Sequence, residues 1–250
     1  MRRALAFGAL ALTAAGCAST PPVQGTPPPQ AKSELVRRLV ESTVQLWSER
    51  ADGGRRAASA VVVAADPATH RGWVVTALHF LEPRTQPQEI VARRPGQQGT
   101  VPVTIAHVDP ASDLAILQVA DLDVAPVKLK LTAALGDDIL LVAFPWGRRF
   151  TVVRGIVSQI VPLDGLLRIE GPARMIDASV THGSSGGGVF DAYSGELIGI
   201  VESYRTAKID VPGRTERPLE IPVAGETTII HAPAIMALLS ASGLEPFLPK

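Results

Sequence analysis

The segment Thr181–Gly188 carries two serines within a run of glycines and precedes a strand-like sequence, Leu197–Val201. A serine on such a turn could act as a nucleophile, because glycines leave room for a substrate to approach backbone N–H groups that stabilise an oxyanion. The hydroxyl would also need a base. His79 ends one strand-like run and Asp113 opens another. The order His79, Asp113, Ser185 predicts a triad that performs acyl transfer.

Each triad candidate also has an ordinary structural interpretation. Ser185 could belong to a plain Gly/Ser turn between strands, His79 could be a polar strand end, and Asp113 could be a cap. Their joint order favours the triad. The same residues lie in blocks that resemble trypsin-like serine peptidases of the HtrA/Deg type. The resemblance runs from about Thr43 to Ser240, and its blocks are Val75–His79, Ser112–Leu117, Gly136–Asp137, Phe144–Gly147, Gly155–Ser158, Asp177–Gly187 and Gly195–Ile200.

The resemblance implies a role for each residue of the site. Ser185 would be the nucleophile of a serine endopeptidase that works through an acyl-enzyme intermediate. His79 would be the base and then the acid, and Asp113 would hold its tautomer. The N–H groups of Gly183 and Ser185 would form the oxyanion hole. His182 stands where the family usually has proline, which favours a role in the turn.

Specificity positions also follow from the resemblance. Ser179 is expected at the base of the substrate pocket, and the strand Glu202-Ser203-Tyr204 is expected along its wall. No acidic residue at the base means no preference for Arg or Lys, so small to medium apolar side chains fit better. Glu202 departs from the family, and a second carboxylate beside Asp113 is costly unless it turns to solvent or pairs with Arg205.

Two classes of function therefore stay open. The first is an active serine endopeptidase that cleaves envelope proteins. The second is a catalytically weak or inactive module that keeps the peptidase fold and binds unfolded or partner polypeptides. Glu202, Ser184 and Gly188, which depart from the family pattern, keep the second class open.

Composition excludes other classes. The formal net charge of the 250 residues is zero, which argues against a nucleic-acid partner. No cluster of His, Cys, Asp or Glu has metal-ligand spacing, and no glycine loop has the Lys-Ser/Thr of a phosphate cradle. We therefore expect no metal and no cofactor.

The N-terminus predicts export and anchoring. Met1–Arg3 is basic, and the apolar run Ala4–Ala15 is shorter than the roughly 20 residues that span a bilayer. The run leads into Ala14-Ala15-Gly16-Cys17, which resembles the lipobox of bacterial lipoproteins. Cys17 is the single cysteine of the chain, although an ordinary signal peptide with an incidental cysteine is the alternative. We predict lipidation of Cys17, a membrane attachment in the bacterial cell envelope and, because Ala18 follows, the periplasmic face of the outer membrane.

The remaining chain predicts an all-β domain. Residues 1–17 form the signal peptide, Pro-rich residues 18–32 form a tether, and residues 33–250 form the peptidase domain. A short helix should begin at Ser33, and two sets of short β-branched runs predict two six-stranded antiparallel barrels side by side. We place barrel one at about 43–125, barrel two at about 126–231 and a C-terminal helix at about 232–243. The family resemblance implies polypeptide substrates and allows a homo-oligomer, since its members often form trimers.

Overall fold

The computed structural model describes residues 29–49, 53–83, 89–161, 168–209 and 219–249. The predicted signal peptide, the lipidation site and most of the predicted tether lie outside these residues. The sequence also predicts a short strand at 166–169, and the first two of its residues lie outside the described part of the chain. Among the described residues, no helix is both long and apolar enough to cross a bilayer.

The first half of the chain closes into a six-stranded antiparallel barrel, which we call barrel one. Its strands neighbour one another in the order β1-β2-β3-β6-β5-β4. Both faces of the strands are largely buried: along β6, for example, Ala115, Leu117 and Val119 pack inside the barrel, while Leu114 and Ile116 on the opposite face join a cluster outside it. The strands are β1 Thr43–Glu49, β2 Arg55–Asp66, β3 Arg71–Ala77, β4 Glu89–Arg93, β5 Val101–Asp109 and β6 Leu114–Ala120.

The second half closes into barrel two, in the order β11-β14-β13-β12-β8-β9. A separate two-stranded pair, β7 with β10, lies beside it. The predicted all-β fold of two six-stranded antiparallel barrels is confirmed. The second set of strands is β7 Ala133–Ala134, β8 Asp138–Ala143, β9 Thr151–Ile160, β10 Glu170–Gly171, β11 Ala173–Ile176, β12 Gly188–Asp191, β13 Leu197–Ile209 and β14 Leu219–His231.

One predicted strand is a connection instead. The sequence predicts a strand at 127–131, where Val127, Leu129 and Leu131 alternate with two lysines, but this run joins the two barrels and meets barrel two through an isolated bridge between Leu129 and Leu197. Leu197 at the start of β13 donates to the carbonyl of Lys128 and accepts from the N–H of Lys130. Strand β13 already pairs with β12 and β14 within the closed barrel, so this run stays outside the ring of strands.

Three apolar clusters hold the fold together. One fills barrel one and another fills barrel two. The third joins outward-facing side chains of both barrels to both helices, with Leu39, Val61, Phe190 and Ile235 among its members. Burial of each such side chain contributes about 1.5–3 kcal/mol, so this shared cluster fixes the barrels against each other and shapes the cleft between them.

The two helices differ slightly from the predicted bounds. Helix α1 spans Pro29–Glu41 and so begins four residues before Ser33. Proline is tolerated at the first turn of a helix because its missing N–H would have no partner there, which lets α1 include residues assigned to the tether. Helix α2 spans Ala232–Ala241, and the ring of His231 caps it by accepting from the N–H of Ala234 at 3.2 Å.

Candidate active site

The register of barrel one brings His79 and Asp113 to the same end of two neighbouring strands. Strands β3 and β6 pair so that Ala77 lies opposite Leu114. His79 follows Ala77 in a short 3-10 turn, Leu78–Leu81, and Asp113 directly precedes β6. A further bond from the Leu78 N–H to the Asp113 carbonyl, at 2.8 Å, closes this end of the strand pair.

Asp113 holds His79 with both oxygens of its carboxylate. Oδ2 lies 2.6 Å from Nδ1 of the ring, and Oδ1 accepts from the backbone N–H of His79 at 2.8 Å. Asp113 adopts a left-handed backbone, with φ 54°, which aspartate tolerates better than most residues. Because a carboxylate only accepts hydrogen bonds, Nδ1 carries the proton and Nε2 is left free to accept.

Ser185 comes from barrel two and completes the set. It lies in the turn before β12, and its Oγ is 3.0 Å from Nε2 of His79. With Nε2 as acceptor, the hydroxyl donates to the ring. The structure therefore brings the three predicted residues into one continuous hydrogen-bonded chain, Ser185 to His79 to Asp113, across the cleft between the barrels.

The loop that carries Ser185 uses its carbonyls in hydrogen bonds, whereas the N–H groups of Gly183 and Ser185 are left without an acceptor among the described residues. The carbonyls of residues 181–185 each accept a hydrogen bond, from Ser184 N, Trp146 N, Ser59 Oγ, Gly187 N and Ser59 N respectively. Within the described part of the chain, no acceptor bonds the N–H of Gly183 or the N–H of Ser185. These are the two groups expected to form the oxyanion hole, and both remain available to a ligand.

Close packing accounts for two glycines around the serine. Gly186 has φ 78°, and a Cβ there would collide with the Ser59 carbonyl of barrel one. Gly188 departs from the family pattern, and a Cβ on it would strike the Phe190 ring. Packing between the barrels and within β12 thus requires glycine at both positions, and neither glycine disturbs the contact of Ser185 with His79.

Residues that the sequence interpretation overlooked support this arrangement. Ser59, fully buried on β2, bonds the loop that carries Ser185. Arg56 donates from Nη1 to the carbonyls of His79 and Glu82, at 3.2 and 2.6 Å, and so braces the turn that carries the imidazole. A lone hydroxyl within the apolar run Ala57–Ala65 was the available signal for Ser59.

The triad faces a cleft of about 710 Å³. Its lining includes His79, Gly183, Ser185 and the predicted wall Glu202-Ser203-Tyr204. Ser203 bonds Thr228 through its hydroxyl at 2.6 Å. The strand expected to guide a substrate therefore does lie beside the serine.

Ser179 differs from its expected position at the pocket base. It is exposed and is absent from the described cleft lining, whereas Val180 and Thr181 belong to that lining. The neighbours of Ser179, Ala178 and Val180, both pack on the core of barrel two. Side chains alternate along an extended chain, so Ser179 between them is turned outward.

Glu202 also differs from the prediction. Its carboxylate lies 2.7 Å from Nη1 of Arg174, which in turn donates to the carbonyl of Ile229 at 3.1 Å. Arg205, the expected partner, bonds Glu226 at 3.0 Å instead. The extra carboxylate of the cleft is thus neutralised by a cation from β11, which lies on the other side of β14 from the strand that carries Glu202.

The other histidines stand apart from the triad. His182 lies between two aromatic rings, with centroids 5.1 Å from Trp146 and 6.0 Å from Tyr204, in keeping with a role in the turn. The bond to Asp123 raises the pKa of His70. Burial, with a smaller contribution from the Arg174 charge, lowers the pKa of His231. Among the described residues, no three His, Cys, Asp or Glu side chains are arranged to hold a metal ion.

Comparison with known proteins identifies the family of this chain. The family model for a trypsin-like peptidase domain matches residues 58–200, more than half of the chain. This protein therefore belongs to the trypsin-like peptidase family.

Two curated relatives indicate which type of trypsin-like peptidase the chain resembles. The serine endoprotease DegS of Salmonella typhimurium is 30% identical over 137 residues, which cover 52% of this chain and 36% of that protein. A probable periplasmic serine endoprotease, DegP-like, of Pseudomonas fluorescens is 28% identical over 192 residues, covering 73% of this chain and 36% of the relative. The predicted likeness to the HtrA/Deg type is confirmed, and the chain spans little more than a third of the length of these two relatives.

Solved structures show the same fold. A serine endoprotease of Yersinia pestis superposes with a TM-score of 0.63 at 20% identity, covering 86% of this chain and 68% of that one. A Mycobacterium tuberculosis protease in its active form also has a TM-score of 0.63 at 20% identity, and the match covers 91% of this chain and 95% of that one. At this identity the similarity concerns the fold alone.

Proposed function

We propose that this protein is a serine endopeptidase whose catalytic residues are His79, Asp113 and Ser185. The 3.0 Å contact between Ser185 Oγ and His79 Nε2 carries the proposal, because it places the nucleophile within reach of its base. The serine endoprotease names of the relatives support the same reaction.

The reaction follows from the hydrogen bonds of the site. Ser185 Oγ attacks the carbonyl carbon of the scissile peptide while Nε2 of His79 takes its proton. The N–H groups of Gly183 and Ser185 stabilise the oxyanion that forms. The imidazolium, held by Asp113, then protonates the leaving amine and leaves an acyl-enzyme. A water activated by His79 hydrolyses that ester and restores the serine.

The cleft favours polypeptides without a preference for basic side chains. Glu202 is the carboxylate of this wall, and Arg174 already neutralises it. Val180, Trp146 and Tyr204 offer apolar or aromatic surface along the lining. We therefore propose small to medium apolar side chains at the cleaved position, with Glu202, Ser203 and Tyr204 lining the path of the substrate.

We further propose that the protein acts in the bacterial cell envelope. The lipobox-like sequence ending at Cys17 and the periplasmic name of the Pseudomonas fluorescens relative support this location. A lipid on Cys17 would hold the domain at the periplasmic face of the outer membrane, and its substrates would be envelope proteins.

The test uses the full chain with a fluorophosphonate probe and casein as an unfolded substrate. We expect labelling of the wild type and a loss of about 10⁴- to 10⁶-fold in casein hydrolysis for Ser185→Ala and for His79→Ala, because triad members act as a unit. Ser158→Ala removes an exposed hydroxyl on β9 and should retain full activity. Cleavage of casein by Ser185→Ala at the wild-type rate would refute the assignment.

A further inference from the structure

One buried hydroxyl of barrel one connects the two segments that build the proposed oxyanion hole. Ser59 lies on β2 and is fully buried. Its Oγ accepts from the N–H of Phe144 at 2.9 Å and donates to the carbonyl of Gly183 at 2.9 Å. Its own N–H donates to the carbonyl of Ser185 at 2.8 Å. A single residue of barrel one therefore makes three bonds to barrel two around the nucleophile.

The first of these bonds holds a turn that orients the oxyanion loop. Phe144 opens the turn 144–147, and Trp146 in this turn donates its N–H to the carbonyl of His182 at 2.7 Å. The peptide between His182 and Gly183 is planar and trans, so its N–H points away from its carbonyl. Anchoring the His182 carbonyl on Trp146 thus sets the direction of the Gly183 N–H.

The turn depends on such bonds because its backbone is strained. Trp146 has φ 57°, a left-handed conformation that large side chains rarely adopt. The turn is closed by a bond from the Gly147 N–H to the Phe144 carbonyl at 2.9 Å, and Ser59 secures the Phe144 N–H. Loss of the Ser59 hydroxyl would free the first residue of the turn and the Gly183 carbonyl together.

We propose that Ser59 is a positioning residue for the oxyanion hole. Its hydroxyl ties the turn 144–147 to the Gly183 carbonyl, so the N–H of Gly183 is held in place before substrate binds. Ser59 itself is buried beneath the loop and acts through these backbone groups. This inference rests on the proposed peptidase function.

The test compares Ser59→Ala with Thr43→Val in the full chain. Thr43 is also fully buried in barrel one, and its hydroxyl bonds the Leu39 carbonyl of α1 at 2.8 Å, with no bond to the oxyanion loop. For Ser59→Ala we expect kcat to fall by about 10- to 100-fold, somewhat less than the loss of an oxyanion donor itself, with KM changed by no more than about 2-fold. Thr43→Val should lower the melting temperature while it retains both kinetic constants.

A tetrahedral inhibitor separates positioning from general loosening. The affinity of a peptide boronate should fall in parallel with kcat/KM in Ser59→Ala, whereas the affinity of the cleaved peptide product should not. Ser59→Cys keeps a hydrogen-bonding group at the position of Oγ, but the thiol is a weak donor and a weak acceptor, so its kcat should lie between those of wild type and Ser59→Ala. It serves as the second variant if Ser59→Ala does not fold.

The outcomes keep the two proposals distinct. If the wild type is neither labelled by fluorophosphonate nor active on casein, the proposed function has failed. If the wild type is active and a folded Ser59→Ala or Ser59→Cys has wild-type kcat, only the role of Ser59 is overturned. An equal fall of kcat in Thr43→Val would also overturn it, since the effect would then follow stability alone.

Discussion

Replacing Lys130 by methionine should destabilise barrel two, because Lys130 neutralises a carboxylate with little access to water. Its Nζ bonds Asp191 and lies 3.2 Å from Asp137. The Asp191 side chain is only 9% exposed, while those of Lys130 and Asp137 are 28% and 32% exposed. The methionine keeps the apolar stem of the lysine and removes only the cation.

The expected loss is about 2 kcal/mol. Breaking a buried ion pair costs about 3–5 kcal/mol, because one charge remains uncompensated. Water reaches part of this pair, and Asp191 would still accept from the N–H groups of Tyr193 and Ser194 at 2.9 and 2.8 Å, so the expected loss lies below that range. At about 2–4 °C per kcal/mol for a domain of this size, the melting temperature should fall by about 4–8 °C.

The pH dependence of this difference provides a second check. Burial would raise the pKa of Asp191, but the bond from Lys130 and the two backbone N–H groups outweigh burial and lower it. Burial would lower the pKa of Lys130, but the bond to Asp191 outweighs it and raises the pKa. The pair therefore stabilises the fold above the usual pKa of aspartate and below that of lysine, roughly between pH 4 and pH 10, and its contribution is lost beyond either limit.

Thermal melts of wild type, Lys130→Met and Lys128→Met across this range measure the effect. Lys128 is exposed, lies two residues away on the same connection, and should give a change within about 0.5 kcal/mol. A double-mutant cycle with Asp191→Asn should show that most of the Lys130→Met cost disappears when the carboxylate is absent. Equal melting temperatures for wild type and Lys130→Met near pH 7 would refute the reasoning.

Three further predictions concern titration, the cleft and anchorage. The pKa of His231 is lower in the folded state than its ordinary 6.5, so the unfolded chain binds more protons below that pH and stability falls on acidification. In His231→Asn the amide keeps the cap on the N–H of Ala234, so thermal melts of this variant should show a shallower fall of stability between about pH 7 and 5. An unchanged slope of stability against pH would contradict this. Because Arg174 neutralises Glu202, removing both charges in the double variant Glu202→Ser/Arg174→Met should leave the pH–rate profile of the wild type unchanged. A displaced midpoint of the profile would mean that Glu202 does influence the triad. Cys17→Ser should block processing or release the protein from membranes in cell fractionation, and a mature N-terminus beyond Cys17 without lipid, seen by mass spectrometry, would rule out the anchor.

Local patterns were sufficient to predict the barrels and the reactive residue types. Short β-branched runs separated by turns require strands with one buried face, and twelve strands of this kind close into two barrels. The run 127–131 alternates apolar residues with lysines, as a strand with one buried face would, and yet it is not a barrel strand. The residue types of a run indicate which of its side chains are buried, but the strand with which the run pairs depends on which strand edges remain unpaired.

The sequence also indicated which residue types could form a triad, but not that they meet. His79 and Ser185 are 106 residues apart, and their contact depends on how the two barrels pack. The alternation of side chains along β13 explains why Glu202 does not pair with Arg205 as the sequence suggested. Arg205 is three residues further along β13, so its side chain emerges on the opposite face, and the partner comes from β11.

By itself, then, the sequence determined an all-β peptidase-like chain with a nucleophile, a base and an acid in a recognisable order, because these features are properties of local periodicity and residue type. Only the tertiary structure decided the 2.6 and 3.0 Å contacts of the triad, the pairing of Glu202 with Arg174 and the hydrogen bonds of Ser59. Ser59 bonds Gly183 across 124 residues of chain. The partner of a buried hydroxyl is set by which strands the packed core brings together, and no local pattern of residues carries that information.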